Sequence, residues 1–177
     1  MRVIRKSATA SGREAIDLLA SLFALELLQP SRCLWVISPW VTDLPLIDNR
    51  FGGFPALDRF GRRMVTLAEV LVSLAGRSAM IVVATRPDVI NAAFTARLAR
   101  LADEHGVTSR MSVVTVSKEQ RLHDKALAGD DFVVAGSMNF TFAGALLNEE
   151  QVQLHTDEAY VAATQKDLFQ RFGGTLA

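Results

Sequence analysis

The chain has 177 residues, half of them hydrophobic, which predicts one domain over residues 1–177 with a single well-filled core. Its 19 basic side chains balance 19 acidic ones, so no overall basic character marks it as a nucleic-acid-binding protein, and a polyanion would have to meet a local patch. Cys33 is the only cysteine, which excludes an intrachain disulfide and a thiolate-rich zinc site.

The apolar stretches are shorter than the roughly 20 residues that a membrane-spanning helix needs. The longest of them, residues 18–28, is interrupted by Ser21 and Glu26. The N-terminus is basic but lacks the apolar block and small-residue cleavage site of a signal peptide. We therefore expect a cytoplasmic protein without a membrane partner.

Helical and strand patterns alternate along the chain. Helices are predicted, in chain order, at residues 13–28, 64–74, 88–102 and 157–172. Strands are predicted at residues 33–37, 79–84, 111–116, 122–128, 132–135 and 150–155. Residues 42–61, rich in Pro and Gly, are predicted to form a long connection. This order indicates an α/β fold, with a mixed, mostly parallel sheet flanked by helices on both faces.

The fourth and fifth strands are joined by Gly129-Asp130-Asp131, which predicts an antiparallel hairpin. If Gly129 and Asp130 form the turn, Lys125 faces Val134 and His123 faces Gly136. If Asp130 and Asp131 form it instead, Lys125 faces Gly136 and His123 faces Met138. The sequence leaves both registers open.

Polar side chains concentrate in this hairpin, R-L-H-D-K-A-L-A-G-D-D-F-V-V-A-G-S-M-N-F-T. On an extended strand, His123 and Lys125 point to the same side, and Ser137 and Asn139 share a side by the same rule. The segment thus brings together a nucleophile or base, a cation and two hydrogen-bonding groups. That set suits a phosphate ester, whose transfer needs an in-line nucleophile and positive or dipolar groups around the equatorial oxygens.

This cluster resembles the signature of the phospholipase D superfamily, H-x-K-x4-D followed by G-S-x-N. The matching residues are His123, Lys125, Asp130, Gly136, Ser137 and Asn139. Downstream, Asn148 and Glu150 resemble the N-x-E element of the family. The matching block covers residues 122–150, and the preceding elements are compatible with the α/β fold of the family. One departure is that five residues separate Asp130 from Gly136, where the family usually has six.

The resemblance implies a metal-independent phosphodiesterase without a cofactor. In the family, one motif histidine attacks phosphorus to form a phosphohistidine, and a second histidine protonates the leaving oxygen and then activates water. This chain has one H-x-K, since neither His105 nor His155 lies in a second copy. Family members with one motif build a single site across a two-fold homodimer, so we expect a homodimer here, with His123 of the two subunits in opposite roles.

The catalytic set implied by the resemblance is His123, Lys125, Asn139, Glu150, Ser137 and Asp130. Lys125 would hold non-bridging phosphate oxygens, and Ser137 and Asn139 would donate neutral hydrogen bonds. Glu150 would orient an imidazole through its second nitrogen. Asp130, the residue placed in doubt by the shorter hairpin, is expected to be mainly structural.

Three further residues are candidates for substrate binding. Trp40, with its neighbours Phe51 and Phe54, either stacks bases or lines the pocket mouth, or else packs the long connection or the dimer interface. Arg62, grouped with Arg59 and Arg63, is either a phosphate contact or part of a solvated surface. Arg86 follows the second predicted strand, at the end where open α/β sheets collect ligands.

Other reactive groups have simpler structural interpretations. Cys33, beside Leu34 and Trp35, is expected in the core. His105 is expected as a cation at the C-terminal end of a helix, and His155 at the end of a strand.

Small single-motif chains of this type are mostly nucleases, so DNA is the expected substrate. A more particular resemblance, through L-H-D-K, G-S-M-N-F-T and S-P-W-V-T-D, is to the phospholipase D-like component of bacterial 7-deazaguanine DNA-modification clusters. This resemblance implies that the protein acts together with other proteins of a DNA-modification or restriction system. The alternatives are a non-catalytic nucleic-acid-binding or assembly subunit and a phospholipid hydrolase, for which the chain offers no basic amphipathic membrane helix.

Overall fold

The structure, a computed structural model, describes residues 2–5, 13–117, 119, 122–147 and 151–176. Its strands are β1 (Arg2–Arg5), β2 (Cys33–Ile37), β3 (Pro45–Asp48), β4 (Met64–Thr66), β5 (Met80–Thr85), β6 (Met111–Thr115), β7 (Ala126–Ala128), β8 (Val133–Gly136) and β9 (Gln151–His155). Its α-helices are α1 (Glu14–Leu28), α2 (Leu67–Gly76), α3 (Val89–Glu104) and α4 (Glu158–Phe172).

Among the described residues, seven strands form one mixed sheet in the order β1-β9-β8-β7-β2-β5-β6. The mixed α/β architecture is confirmed, but the neighbouring pairs are not mostly parallel. Only β2–β5 and β5–β6 are parallel, and the other four pairs are antiparallel. The difference arises because the β7–β8 hairpin inserts a reversed strand beside β2, and because the unpredicted strand β1 pairs antiparallel with β9.

Helices cover both faces of the sheet, as predicted. Helices α1, α2 and α3 pack on one face and α4 packs on the other. Strand β2 lies between the two layers, and all five of its residues are buried, which explains its continuous apolar sequence. Cys33 lies in this core, where burial raises the pKa of its thiol to about 11.

Side-chain caps fix the starts of two helices. Asp88 accepts a hydrogen bond from the Ile90 amide at 3.0 Å, which makes it the N-cap of α3. Asp157 accepts from the Tyr160 amide at 3.0 Å and caps α4 in the same way. No helix in the described ranges is both long and apolar enough to cross a bilayer.

The connection predicted at residues 42–61 is more ordered than expected. It contains β3 and a 3₁₀ helix, Pro55–Phe60, and β3 pairs antiparallel with β4 in a separate two-stranded sheet. Residues 64–66 are therefore strand, and α2 begins three residues later than predicted. The Thr66 amide donates to Glu69 Oε2 at 3.0 Å, so the T-x-x-E sequence marks the true start of the helix.

The strand predicted at residues 122–128 is shorter, because β7 contains only Ala126–Ala128. Ala126 pairs with Ile37, the last residue of β2, so the segment before it extends beyond the edge of the sheet. His123 and Lys125 lie in this segment, where they are free of the regular strand ladder with β2.

Candidate active site

The motif residues collect at one edge of the seven-stranded sheet. β2, β5, β6 and β8 all end at this edge, and β7 and β9 begin there. His123 and Lys125 precede β7, and Ser137 follows β8. Ligands of open α/β sheets bind beyond the carboxyl ends of the strands, so these residues lie at the edge where a substrate is expected.

The register of the hairpin is the second of the two alternatives. Ala126 pairs with Ala135 and Ala128 with Val133, and the Gly129 amide donates to the Phe132 carbonyl at 3.0 Å. Asp130 and Asp131 are therefore the turn residues. Lys125 lies opposite Gly136, whose amide donates to the Lys125 carbonyl at 3.2 Å.

Gly136 is required by the close approach of β9. A Cβ atom at this position would overlap the backbone carbonyl of Gln151. The same two strands are joined next to it, since the Ser137 amide donates to the Gln151 carbonyl at 2.9 Å and Ser137 Oγ accepts from the Gln151 amide at 3.0 Å. The glycine and serine of G-S-x-N thus fix the ends of β8 and β9 relative to each other.

His123 and Lys125 line an open cleft of about 300 Å³, which we call the His123 cleft. Its other walls come from Gly136 and from Tyr160, Thr164, Asp167 and Arg171 of α4. His123 is exposed, and Lys125 is half-buried with its Nζ donating to the His123 carbonyl at 2.6 Å. A phosphate ester entering this cleft would meet an accessible imidazole and an ammonium group on adjacent parts of one segment.

Asn139 lies on the β2 side of the same edge. Its Oδ1 is 3.3 Å from Ser38 Oγ, and the same hydroxyl accepts from the Phe140 amide at 3.3 Å. Gly144 packs against the backbone of Asn139 so closely that a Cβ there would overlap the Asn139 carbonyl. Neither Asn139 nor Ser137 is among the lining residues of the His123 cleft.

Trp40 and Arg86 also reach this edge, because they follow the carboxyl ends of β2 and β5. The Arg86 guanidinium carbon lies 5.7 Å from the centroid of the Trp40 ring. Arg62, by contrast, lies beside Gly52 in the connection between β3 and β4. Its neighbours are engaged elsewhere, Arg59 near His105 and Arg63 with Glu69, so the three arginines do not form one patch at the site.

Asp130 lies at the opposite edge of the sheet, at the hairpin tip. Its carboxylate accepts from the Arg32 amide at 3.0 Å, and its own amide donates to Ser31 Oγ at 2.8 Å. These contacts join the tip to the start of β2. Glu150, the remaining member of the sequence-predicted catalytic set, lies outside the described residues, as does its neighbour Asn148.

No protein-family model matches the sequence, and no curated protein matches it either. The fold, however, matches solved structures over nearly its whole length. Nuc, a phospholipase D family member from Salmonella typhimurium, superposes with a TM-score of 0.62 at 14% sequence identity, with 99% of each chain covered. NucT from Helicobacter pylori gives a TM-score of 0.60 at 14% identity, over 98% of this chain and 99% of NucT. The chain has a phospholipase D-type fold.

A phospholipase D-type fold is also found within larger proteins that resemble this chain. TrmBL2, an archaeal chromatin protein whose structure shows a mode of DNA binding, superposes with a TM-score of 0.51 at 13% identity. The match covers 98% of this chain and 53% of TrmBL2.

The other two histidines of this phospholipase D-type fold lie at the sheet edge opposite to His123. His105 follows α3, where it contacts Phe60 edge-to-face, with ring centroids 5.4 Å apart. His155 ends β9 and stacks on Tyr160 at 4.1 Å. Because α3 and β9 both end at the edge where β2 begins, neither histidine lies at the edge occupied by His123.

Sequence reasoning missed an ion network that holds the motif segment. Asp124 Oδ2 is 2.6 Å from Nη2 of Arg171 on α4, and Arg171 also bonds Asp167. Burial alone would lower the pKa of Arg171, but the hydrogen bonds that it donates to the two carboxylates raise it overall. The pair that spans the two elements is 47 residues apart in sequence, so no local pattern marks it.

Proposed function

We propose that this protein is a metal-independent phosphodiesterase that cleaves DNA through a phosphohistidine on His123. The observation that supports this most strongly is the convergence of both halves of the motif at one sheet edge, with Lys125 opposite Gly136 and His123 accessible in the adjacent cleft. An exposed neutral imidazole is a competent nucleophile near neutral pH.

The resemblance implies a role for each motif residue. Lys125, whose ammonium now bonds a backbone carbonyl, would turn to the non-bridging oxygens of a bound phosphate. Ser137 and Asn139 would donate neutral hydrogen bonds from the ends of β8 and the loop after it. Glu150 would orient the imidazole, as its match to the N-x-E element implies. Asp130 would act only by joining the hairpin tip to β2.

The active site would be shared by two copies of the chain. The mechanism needs a second histidine as general acid, and His105 and His155 lie at the other edge of the sheet. A second copy, related by a two-fold axis at the site edge, would supply its own His123. One imidazole would then attack phosphorus in its neutral form while the other donates a proton to the leaving oxygen.

DNA is favoured as the substrate because TrmBL2, which binds DNA, shares the fold. The resemblance of the motif block to the phospholipase D-like component of 7-deazaguanine modification clusters supports action within a DNA-modification or restriction system, with partner proteins. Membership of such a system is independent of the chemistry at His123.

Cleavage of DNA in the presence of EDTA tests the catalytic proposal. The native chain should cleave, and His123→Ala or Lys125→Ala should each reduce cleavage by at least about a hundredfold, the usual contribution of a positioned acid–base or charge-stabilising group. His105→Gln is the matched control, since it removes an imidazole from the opposite edge and should leave cleavage intact. Equal cleavage by the native chain and His123→Ala would overturn the proposal.

A non-catalytic DNA-binding subunit is the second candidate, favoured by the likeness to a chromatin protein. It predicts DNA binding without a covalent intermediate. Alkaline denaturation of a reaction with phosphorus-labelled DNA separates the two, because the phosphorus–nitrogen bond of a phosphohistidine survives alkali but not acid, and only the enzyme yields a labelled adduct at His123. A phospholipid hydrolase would form the same adduct with a phospholipid and none with DNA.

A further inference from the structure

A half-buried tryptophan stands at the site edge with a cation beside it. Trp40 is one of two tryptophans in the chain, and the other, Trp35, is completely buried in β2. Trp40 Nε1 donates to Asp88 Oδ2 at 3.1 Å, which fixes the plane of the indole at the start of α3. Arg86 lies over the same ring. The result is an aromatic surface of fixed orientation with a guanidinium group at close range.

The backbone around this surface is held by buried hydrogen bonds. The Pro39 carbonyl accepts from Thr85 Oγ1 at 3.1 Å and from Asn91 Nδ2 at 2.9 Å. Asn91, which is buried, also donates to the Arg86 carbonyl at 2.8 Å and accepts from the Val41 amide at 2.8 Å. One amide therefore braces the backbone on both sides of Trp40 and at Arg86, so the backbone positions of these two residues are held relative to each other.

The aromatic surface is also connected to the G-S-x-N segment. Ser38 Oγ donates to the Trp40 carbonyl at 2.8 Å and lies 3.3 Å from Asn139 Oδ1. The Thr42 amide donates to the Phe140 carbonyl at 2.9 Å on the other side of Trp40. The loop that carries Trp40 and the loop that carries Asn139 thus move as one unit.

We propose that Trp40 and Arg86 form a subsite for an unpaired nucleobase, with the base stacked on the indole and Arg86 on the neighbouring phosphate. This rests on the proposed function and narrows its substrate to single-stranded nucleic acid. In a duplex both faces of a base are covered by its neighbours, so only an unpaired base offers a face to Trp40. Stacking on Trp40 would add to the affinity that Lys125 and Arg86 gain from phosphate contacts in a chain without net positive charge.

Tryptophan fluorescence of the full-length His123→Ala protein tests the subsite directly. Because Trp35 is completely buried, a change on adding a single-stranded oligonucleotide reports on Trp40. The probes are oligothymidylate, an abasic deoxyribose-phosphate strand of equal length and charge, and a duplex of the same length. We expect oligothymidylate to quench the fluorescence and to bind about fivefold to a hundredfold more tightly than the abasic strand, the range expected for one base stack. Equal affinity for the two strands would overturn the subsite.

Substitutions at Trp40 give a second readout, with binding measured by anisotropy of a labelled oligothymidylate. Trp40→Leu should weaken binding by a similar factor and raise the KM for oligothymidylate, whereas Trp40→Phe should restore most of the affinity. Phe51→Leu is the matched control, because Phe51 is 91% exposed but lies outside the site edge, in the connection between β3 and β4. An effect of Phe51→Leu equal to that of Trp40→Leu would contradict the proposal.

Failure of the subsite and failure of the proposed function give different results. Quenching of Trp40 by oligothymidylate, without cleavage of any diester by the native protein, would retain the subsite and reject the catalytic function. Cleavage of oligothymidylate with a KM that Trp40→Leu does not change would retain the function and reject the subsite.

Discussion

The two edges of the seven-stranded sheet differ in how their polar groups are paired. At the edge where β2 begins, buried Glu26 accepts hydrogen bonds from the amide and hydroxyl of Ser31 at 2.8 and 2.6 Å, and Ser31 Oγ accepts from the Asp130 amide. At the other edge, His123 is exposed and Lys125 bonds the carbonyl of its own segment. The first set is satisfied within the protein, whereas the second is directed to an open cleft.

The H-x-K-x4-D motif has residues at both edges, with His123 and Lys125 at the open cleft and Asp130 in the hydrogen-bonded network. His123 and Lys125 precede β7 at the site edge, and Asp130 follows β7 at the other edge, bonded to the amide of Arg32. Gln165 of α4 joins the same tip, since its Nε2 donates to the Gly129 carbonyl at 2.7 Å. A sequence signature is therefore not the same as an active-site list, because one of its members lies a strand's length from the proposed chemistry.

Gly136→Ala should have the largest effect, because it disturbs both the pairing of β8 with β9 and the placement of the motif residues at the site edge. The added methyl group would overlap the Gln151 carbonyl, so β8 and β9 must separate. We expect a loss of about 2–3 kcal/mol in the free energy of unfolding, the usual range for overpacking, together with reduced DNA cleavage. Urea denaturation measures the first effect. An unchanged midpoint would mean that β9 approaches less closely than described.

Glu26→Ala should destabilise the fold by about 2 kcal/mol, because it leaves two donors of Ser31 without their acceptor in a buried site. Glu26→Gln is the matched variant, since it keeps the shape and one acceptor. Thermal or urea unfolding compares the two, and both should retain the site edge and hence cleavage per folded molecule. Loss of cleavage by stable Glu26→Gln would show that the two edges are coupled.

The same residue predicts a pH dependence of stability. Burial raises the pKa of Glu26 above its ordinary value of 4.5, and the hydrogen bonds from Ser31 offset only part of the shift. The folded protein therefore holds this proton to higher pH than the unfolded chain, so Glu26 costs stability as pH rises from 4.5 through the raised pKa. The stability of Glu26→Gln relative to the native protein should increase across that window and be constant above it. A constant difference throughout would contradict the raised pKa.

Asp130→Asn should have a smaller effect and should separate the two edges most clearly. The partly exposed pair with Arg32 contributes about 1 kcal/mol or less, and asparagine keeps an acceptor for the Arg32 amide. We expect the free energy of unfolding to change slightly and the kcat for DNA cleavage to stay within about twofold of the native value. A hundredfold loss of kcat in a stable variant would assign Asp130 to catalysis.

Arg171→Leu should have the smallest effect on stability, because its ion pairs with Asp124 and Asp167 are largely exposed. Such pairs contribute about 0–1 kcal/mol. Cleavage should fall by about threefold to tenfold, since Asp124 then no longer holds the segment between His123 and Lys125 against α4. The loss of cleavage relative to the native protein should be larger at low salt, where the ion pairs are less screened. Arg171→Lys should restore part of the cleavage. Unchanged steady-state kinetics would mean that Arg171 contributes to packing alone and not to cleavage.

The sequence predicted the secondary structure best where the physical signal is local. Strand β2 is marked by five consecutive residues with strand propensity, and α3 by the cap at Asp88. The hairpin, which needs only its own turn and two short strands, places His123, Lys125 and Ser137 at one edge. Strand β3 was missed because prolines and glycines surround its alternating Pro45–Asp48 segment.

What the sequence did not predict depends on contacts between distant segments. Ser38 and Asn139 are 101 residues apart, yet one hydroxyl connects the loop of Trp40 to that of Asn139. The failure of the three arginines to form a patch has partly the same origin, since His105 engages Arg59 from 46 residues away, whereas Glu69 lies only six residues from Arg63. Such partners become visible only once the helices are packed.

The register of the β7–β8 hairpin determines where chain length can vary. A residue added between Asp130 and Asp131 would lengthen the turn and leave Lys125 opposite Gly136. A residue added within β7 would shift every position before it by one and turn His123 and Lys125 to the opposite face of the sheet. Insertions and deletions are thus expected at the tip rather than in the strands, and the five-residue interval between Asp130 and Gly136 begins at the tip residue Asp131.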